Sequence, residues 1–155
     1  MTTEIRIDDL TGAEIARLLD EHLRSLAAVT PEKSGHALNL DELRKPGLTF
    51  WSVWRGAELA GCGALKQLDH QSGEIKSMRT SQNHLRRGVA SRLLEHIIAE
   101  ARGRGYRNLF LETGAGSYFA PAHRLYLKFG FQSCPPFAGY VEGPNSIFMV
   151  KSLEF

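Results

Sequence analysis

Arg86 and Arg87 stand immediately before Gly88-Val89-Ala90-Ser91, and Ala90, Leu93, Leu94, Ile97, Ile98 and Ala101 then recur at the spacing of one helix face. The first N–H groups of a helix have no intrahelical partner, and the helix dipole puts partial positive charge at that end. Gly88 would let the backbone approach a phosphate closely, and Ala90 adds almost no bulk. Arg86 and Arg87 add full charges. Upstream, Glu74-Ile75-Lys76-Ser77-Met78-Arg79-Thr80 reads as a strand. Strand, basic turn and helix make an anion-binding layout that suits a diphosphate. It is not a P-loop, because no Gly-x-x-x-x-Gly-Lys is present.

Other residues carry chemistry less specifically. Tyr126, flanked by Leu125 and Phe129, reads equally as a packed ring or as a proton donor. Glu74 and Glu112 sit at strand ends and read either as proton acceptors or as structural carboxylates. His36 and Tyr140 lie in irregular segments that could wall a pocket, although a surface histidine is the plainer reading of His36. His22, on an apolar helix face, reads as a packed histidine, and Cys62 as a small buried hydrophobe. Two cysteines form neither a disulfide framework nor a metal-ligand cluster, so no metal is expected.

These residues need a scaffold. Ile5 and Ile7 alternate with polar neighbours and suggest a first strand. Thr11-Gly12-Ala13-Glu14 matches a capping box, and Ile15, Leu18, Leu19, His22, Leu23 and Leu26 continue at helical spacing. Thr30 to Leu48 is irregular, with a short helix expected from Asp41 to Lys45. Phe50 to Trp54 and Leu59 to Leu65 form a hairpin across Arg55-Gly56-Ala57-Glu58. Gly61, Cys62, Gly63 and Ala64 imply close approach by another element or a ligand. Asn108 to Thr113 is the strand after the central helix, which implies a parallel βαβ unit with right-handed crossover. A glycine-rich loop, Gly114-Ala115-Gly116, leads to a helix from Pro121 to Lys128. Phe131 and Ser146 to Lys151 supply closing strands.

The chain has 155 residues, enough for one domain (1–155) with a real core. A net charge of +2 gives no strong case for nucleic acid. The arginines at Arg79, Arg86, Arg87, Arg92, Arg102, Arg104 and Arg107 do cluster, opposed only by Glu95 and Glu100 in that window. They lack the interleaved aromatics that base stacking needs, so a phosphorylated small ligand is expected and no nucleic acid. No signal peptide is read at Met1 to Asp9, and no apolar run approaches the roughly 18 residues of a membrane span. The cytoplasm is therefore the expected compartment, with no membrane partner.

Taken together, these residues resemble the Gcn5-related N-acetyltransferase (GNAT) family. The family's diphosphate loop, Gln/Arg-x-x-Gly-x-Gly/Ala, stands here as Leu85-Arg86-Arg87-Gly88-Val89-Ala90. Its later signature, Ala-x-x-x-Tyr-x-x-x-Gly-Phe, stands as Ala122-His123-Arg124-Leu125-Tyr126-Leu127-Lys128-Phe129-Gly130-Phe131. Leu85 departs from the usual Gln or Arg, which removes a side-chain contact but no backbone donor. Phe119 stands where many members carry Asn, which puts its contact to the pantetheine arm in doubt. The ending Gly143 to Met149 resembles a bacterial branch sometimes labelled as acting on indole-3-acetic acid.

The resemblance implies an α/β (α+β) fold: a mixed, mostly antiparallel twisted sheet of six to seven strands, a central parallel βαβ unit and about four helices, the acyl-CoA N-acyltransferase fold. It implies acetyl-CoA as cosubstrate and direct transfer to a primary amine of a small molecule or peptide. The N–H groups of Arg87, Gly88, Val89, Ala90 and Ser91 would hold the diphosphate. The backbone of Met78, Arg79 and Thr80 would pair with the pantetheine arm in a splay between two strands. Tyr126 would serve the departing sulfur as general acid, since a thiol has a pKa near about 8.5 and a tyrosine near about 10. Glu74 or Glu112 could take the amine proton, or no separate base is needed. Homodimers are common in the family. A non-catalytic module of the same fold that senses coenzyme A or a nucleotide is the alternative.

Overall fold

The computed structural model describes residues 2–29 and 40–153. Its strands are β1 (Thr3–Ile7), β2 (Leu48–Arg55), β3 (Glu58–Asp69), β4 (Ser72–Thr80), β5 (Asn108–Gly114), β6 (Gln132–Ser133) and β7 (Ser146–Ser152). Its helices are α1 (Ala13–Val29), α2 (Leu40–Leu43), α3 (Val89–Gly103) and α4 (Ala120–Lys128). The strands make one sheet in the order β1-β2-β3-β4-β5-β7-β6. Among the described residues only β4 and β5 pair in parallel. A parallel pair cannot be closed by a tight turn, and α3 is the crossover that joins it. The mixed, mostly antiparallel sheet with its βαβ unit and four helices is the architecture the family resemblance implied.

The helices cover both faces. α3 and α4 pack on one, around Leu65, Ile75, Leu94, Ile97, Leu109, Leu111 and Phe131. α1 and α2 pack on the other, around Ile15, Leu18, Leu19, Leu43, Phe50, Cys62 and Ala64. The glycines of β3 explain how closely α3 sits. A Cβ on Gly61 would lie 2.9 Å from the Arg79 carbonyl oxygen and 2.9 Å from Val89 Cγ1. One on Gly63 would meet Met78 Sδ and Leu93. So α3 and the far end of β4 fill the space expected for a neighbouring element or a ligand. Gly61→Ala is expected to lower stability by about 1–3 kcal/mol, the cost of overpacking a tight contact, read as a shifted urea midpoint.

The start of α1 differs from the expected capping box. The Thr11 hydroxyl donates to Asp9 Oδ1 at 2.6 Å, and the Thr11 N–H to the same oxygen at 3.1 Å. α1 begins one residue later than the box requires: the Gly12 carbonyl accepts from the Ala16 N–H at 3.3 Å, so Gly12 and not Thr11 stands at the N-cap position.

The decisive irregularity lies in β4. Ser77 adopts φ +57, a left-handed conformation in a non-glycine residue, and the β3–β4 register shifts between Cys62 and Ala64. This bulge bends β4. β4 pairs with β5 from Ser72 to Ile75 only, then continues along β3, where Cys62 faces Arg79 and Gly61 faces Thr80. The two parallel strands separate beyond Ile75.

Candidate active site

A cavity of about 650 Å³ opens where β4 and β5 part. Lys76 to Thr80 form one wall and Leu111 to Gly114 the other. On the β5 side, β4 has no strand partner from Lys76 onward, so its backbone can accept an extended ligand as a further strand would. Met78, Arg79 and Thr80 all line the cavity.

The turn into α3 closes one end. Gln82–His84 form a short 3-10 turn, and Arg86 at φ +62 and Gly88 at φ +78 both take left-handed backbone. Left-handed residues among ordinary ones curve successive N–H groups into a concave anion site. Gly88 precedes the first helical residue, no side chain caps the helix, and its carbonyl accepts from Arg92 N–H at 3.0 Å. The N–H groups of Val89, Ala90 and Ser91 are thus left without intrahelical acceptors. A Cβ added to Gly88 meets nothing within 4 Å, so the space ahead of the turn is open. These residues fit a diphosphate. Arg86, Gly88, Val89, Ala90 and Ser91 line the cavity, whereas Arg87 is exposed and lies outside its wall. Leu85 is half-exposed and lines the cavity.

α4 supplies Tyr126. Its ring is 6% exposed, stands edge-on to Phe131 with centroids 5.6 Å apart, and lines the cavity. Its hydroxyl makes no hydrogen bond among the described residues. Burial pushes its pKa up to about 12, so Tyr126 is a protonated donor at neutral pH. Phe119, just before α4, lines the cavity too, and its ring lies over Gly114, where a Cβ would collide with it.

The face toward α1 holds the polar groups. Glu74 is almost completely buried, and two donors converge on its Oε2. Lys76 Nζ donates to Glu74 Oε2 at 3.0 Å and to the Tyr140 hydroxyl at 2.7 Å, and that hydroxyl donates to Glu74 Oε2 at 2.7 Å. Burial, reinforced by the bond to Glu74, pushes the Tyr140 pKa far above the usual range. Tyr140 sits behind Glu74 and Lys76 rather than in the cavity wall, in an aromatic cluster with Phe137 and Phe148. Glu112 lines the cavity and accepts from the Ser146 hydroxyl at 2.8 Å. Lys76→Met is expected to destabilise the fold by about 3–5 kcal/mol, because it leaves the Glu74 carboxylate buried without its cation. The double substitution Glu74→Gln with Lys76→Met should recover most of that loss in urea denaturation.

His36 lies outside the described residues. Lys76, Ser25 and Tyr118 escaped the sequence reading, and His22 was taken only as a packed ring. The signals were present: Glu74 and Lys76 are opposite charges on one strand face, and His22 and Ser25 interrupt the apolar face of α1. Burial first, then the Arg79 charge, holds His22 down at about 4, so its ring is uncharged at neutral pH. Cys62 is fully buried and its thiol is pushed up to about 12, which makes it inert. Among the described residues no group of three or more His, Cys, Asp or Glu could hold a metal ion. No described helix is long and apolar enough to cross a membrane.

A strand pair opened beside a helix start, with a buried tyrosine in the cavity wall, is the arrangement that the family resemblance implied. The model of the acetyltransferase (GNAT) family matches residues 15–131, and the chain belongs to that family. It is 60% identical over 149 residues to the uncharacterized N-acetyltransferase YsnE of Bacillus subtilis, covering 96% of this chain and 99% of that one. It is 49% identical over 149 residues to the uncharacterized N-acetyltransferase YedL of Escherichia coli, covering 96% and 94%. A GNAT family acetyltransferase from Elizabethkingia anophelis with acetyl-CoA bound superposes with a TM-score of 0.70 at 20% identity, covering 97% of each chain, which is a likeness of fold.

Proposed function

We propose that the chain moves an acetyl group from acetyl-CoA to a primary amine of a small molecule or peptide. The observation that carries this reading is the gap between β4 and β5, with the α3 turn at its mouth and Tyr126 on its wall. The bound acetyl-CoA in a structure of the same fold supports the choice of carrier.

The carrier supplies an acetyl group activated as a thioester. The N–H groups of the α3 turn hold its phosphates, and the open edge of β4 aligns its arm. Glu112 takes one proton from the acceptor ammonium, whose ordinary pKa is near about 10.4. Glu74 is the weaker base, because the Lys76 cation and the Tyr140 hydroxyl both donate to its Oε2 and hold its charge in place. The amine nitrogen bonds to the carbonyl carbon, the C–S bond breaks, and the Tyr126 hydroxyl gives its proton to the sulfur. The second proton of the nitrogen restores Tyr126. Burial keeps Tyr126 protonated and disfavours a free thiolate as well, so the departing sulfur takes up a proton rather than leaving as an anion. The sum is an amide, a free thiol and one proton released through Glu112.

Thiol release from acetyl-CoA with a panel of amines tests the reading. Amine-dependent release is expected. Tight carrier binding with no release for any amine would instead mean a binding module of the same fold.

A further inference from the structure

Arg79 reaches across the gap on the α1 side. Its Nη2 donates to Ser25 Oγ of α1 at 3.1 Å and its Nη1 to the Tyr118 hydroxyl at 3.2 Å. Both partners are neutral. No ion pair joins Arg79 to a carboxylate among the described residues, and its Nε is buried without a partner. Lys76 pairs with Glu74 and is no such surplus charge. Among the described residues Arg79 therefore brings a half-buried cation without a counter-charge to the cavity wall. Such a charge is costly unless an anion arrives to match it.

Position decides which anion. The diphosphate turn belongs to α3, which packs on one face of the sheet, and Ser25 belongs to α1, which packs on the other. An anion at the guanidinium therefore comes with the second substrate, not with the carrier's phosphates. Each Nη keeps a second N–H, and the planar fork suits a carboxylate. We infer that Arg79, braced by Ser25 and Tyr118, anchors a carboxylate of the acceptor, so that the preferred acceptors are amino acids. Arg79 is then a specificity residue with its backbone on the carrier and its side chain on the acceptor. The inference rests on the acetyl-transfer reading above.

The test compares free amino acids with the matching amino acid amides as acceptors, by thiol release. Wild type is expected to favour the acids by about 10- to 100-fold in kcat/KM, the worth of a charge-assisted hydrogen bond or two. Arg79→Gln should bring that ratio close to one. Arg79→Lys, which keeps the charge but not the fork, should give an intermediate ratio and serves if the glutamine variant does not fold. Robust turnover with no preference in wild type, or a preference that survives in Arg79→Gln, would overturn the inference. So would a loss confined to acetyl-CoA affinity. If no amine releases thiol, the transfer reading fails, and calorimetric titration of amino acids into the CoA-loaded protein still decides. Binding that Arg79→Gln abolishes supports the anchor, and absence of binding overturns it.

Discussion

Tyr126→Phe lowers kcat by about 100- to 10,000-fold, the contribution of a positioned general acid. The substitution deletes one hydroxyl and keeps the ring against Phe131. That hydroxyl has no hydrogen-bond partner among the described residues, so its removal costs the fold little. Stability in urea should stay within about 0.5 kcal/mol of wild type, the usual range of a change that breaks no structural contact. The acetyl-CoA Kd should change little, because the turn and the β4 edge remain. A variant as active as wild type would remove Tyr126 from the chemistry. The pH profile adds a second check. With its pKa at about 12, Tyr126 causes no alkaline fall in rate below about pH 11. Its raised pKa also means that the folded state holds a proton that the unfolded chain, titrating near about 10, releases. Stability linked to Tyr126 is therefore present below pH 10 and is lost as pH rises toward 12.

Gly88→Val abolishes carrier binding, with Kd raised by about 100-fold or more, as expected when two charge-assisted hydrogen bonds are lost. Two effects combine. At φ +78 a β-branched residue is strained by roughly 1–2 kcal/mol, and the turn relaxes away from its concave form. The added side chain also enters open space at the turn, where a Cβ meets no atom within 4 Å beyond its own chain neighbours. The core does not reach that space, so the variant folds. Gly88→Ala separates the two effects: it carries much of the strain with little of the bulk. Calorimetric titration with acetyl-CoA reads both variants, and undiminished affinity in Gly88→Val would take the diphosphate away from this turn.

The parts of the site legible in the sequence are local ones. The α3 turn announces itself because Arg86, Gly88 and the helix face from Ala90 to Ala101 are adjacent in the chain. The βαβ unit follows from one long amphipathic helix between two strand patterns. The bulge at Ser77 left no comparable sign, because a serine is an uncommon choice for left-handed backbone. Without it, the separation of β4 from β5 rested on resemblance alone. Contacts made at long range were also invisible. Tyr140 comes 64 residues after Lys76, and Arg79 meets Ser25 from 54 residues away. The Thr11 capping box was misplaced for a different reason: the first helical turn closes on the Gly12 carbonyl, one residue after Thr11.

A crystal structure with coenzyme A tests the central claim most directly. The account predicts the diphosphate on the N–H groups of residues 88–91 and the pantetheine arm running along Lys76 to Thr80, with its sulfur beside the Tyr126 hydroxyl. Coenzyme A bound elsewhere, with the turn at Gly88 bare and the gap between β4 and β5 closed, would contradict it.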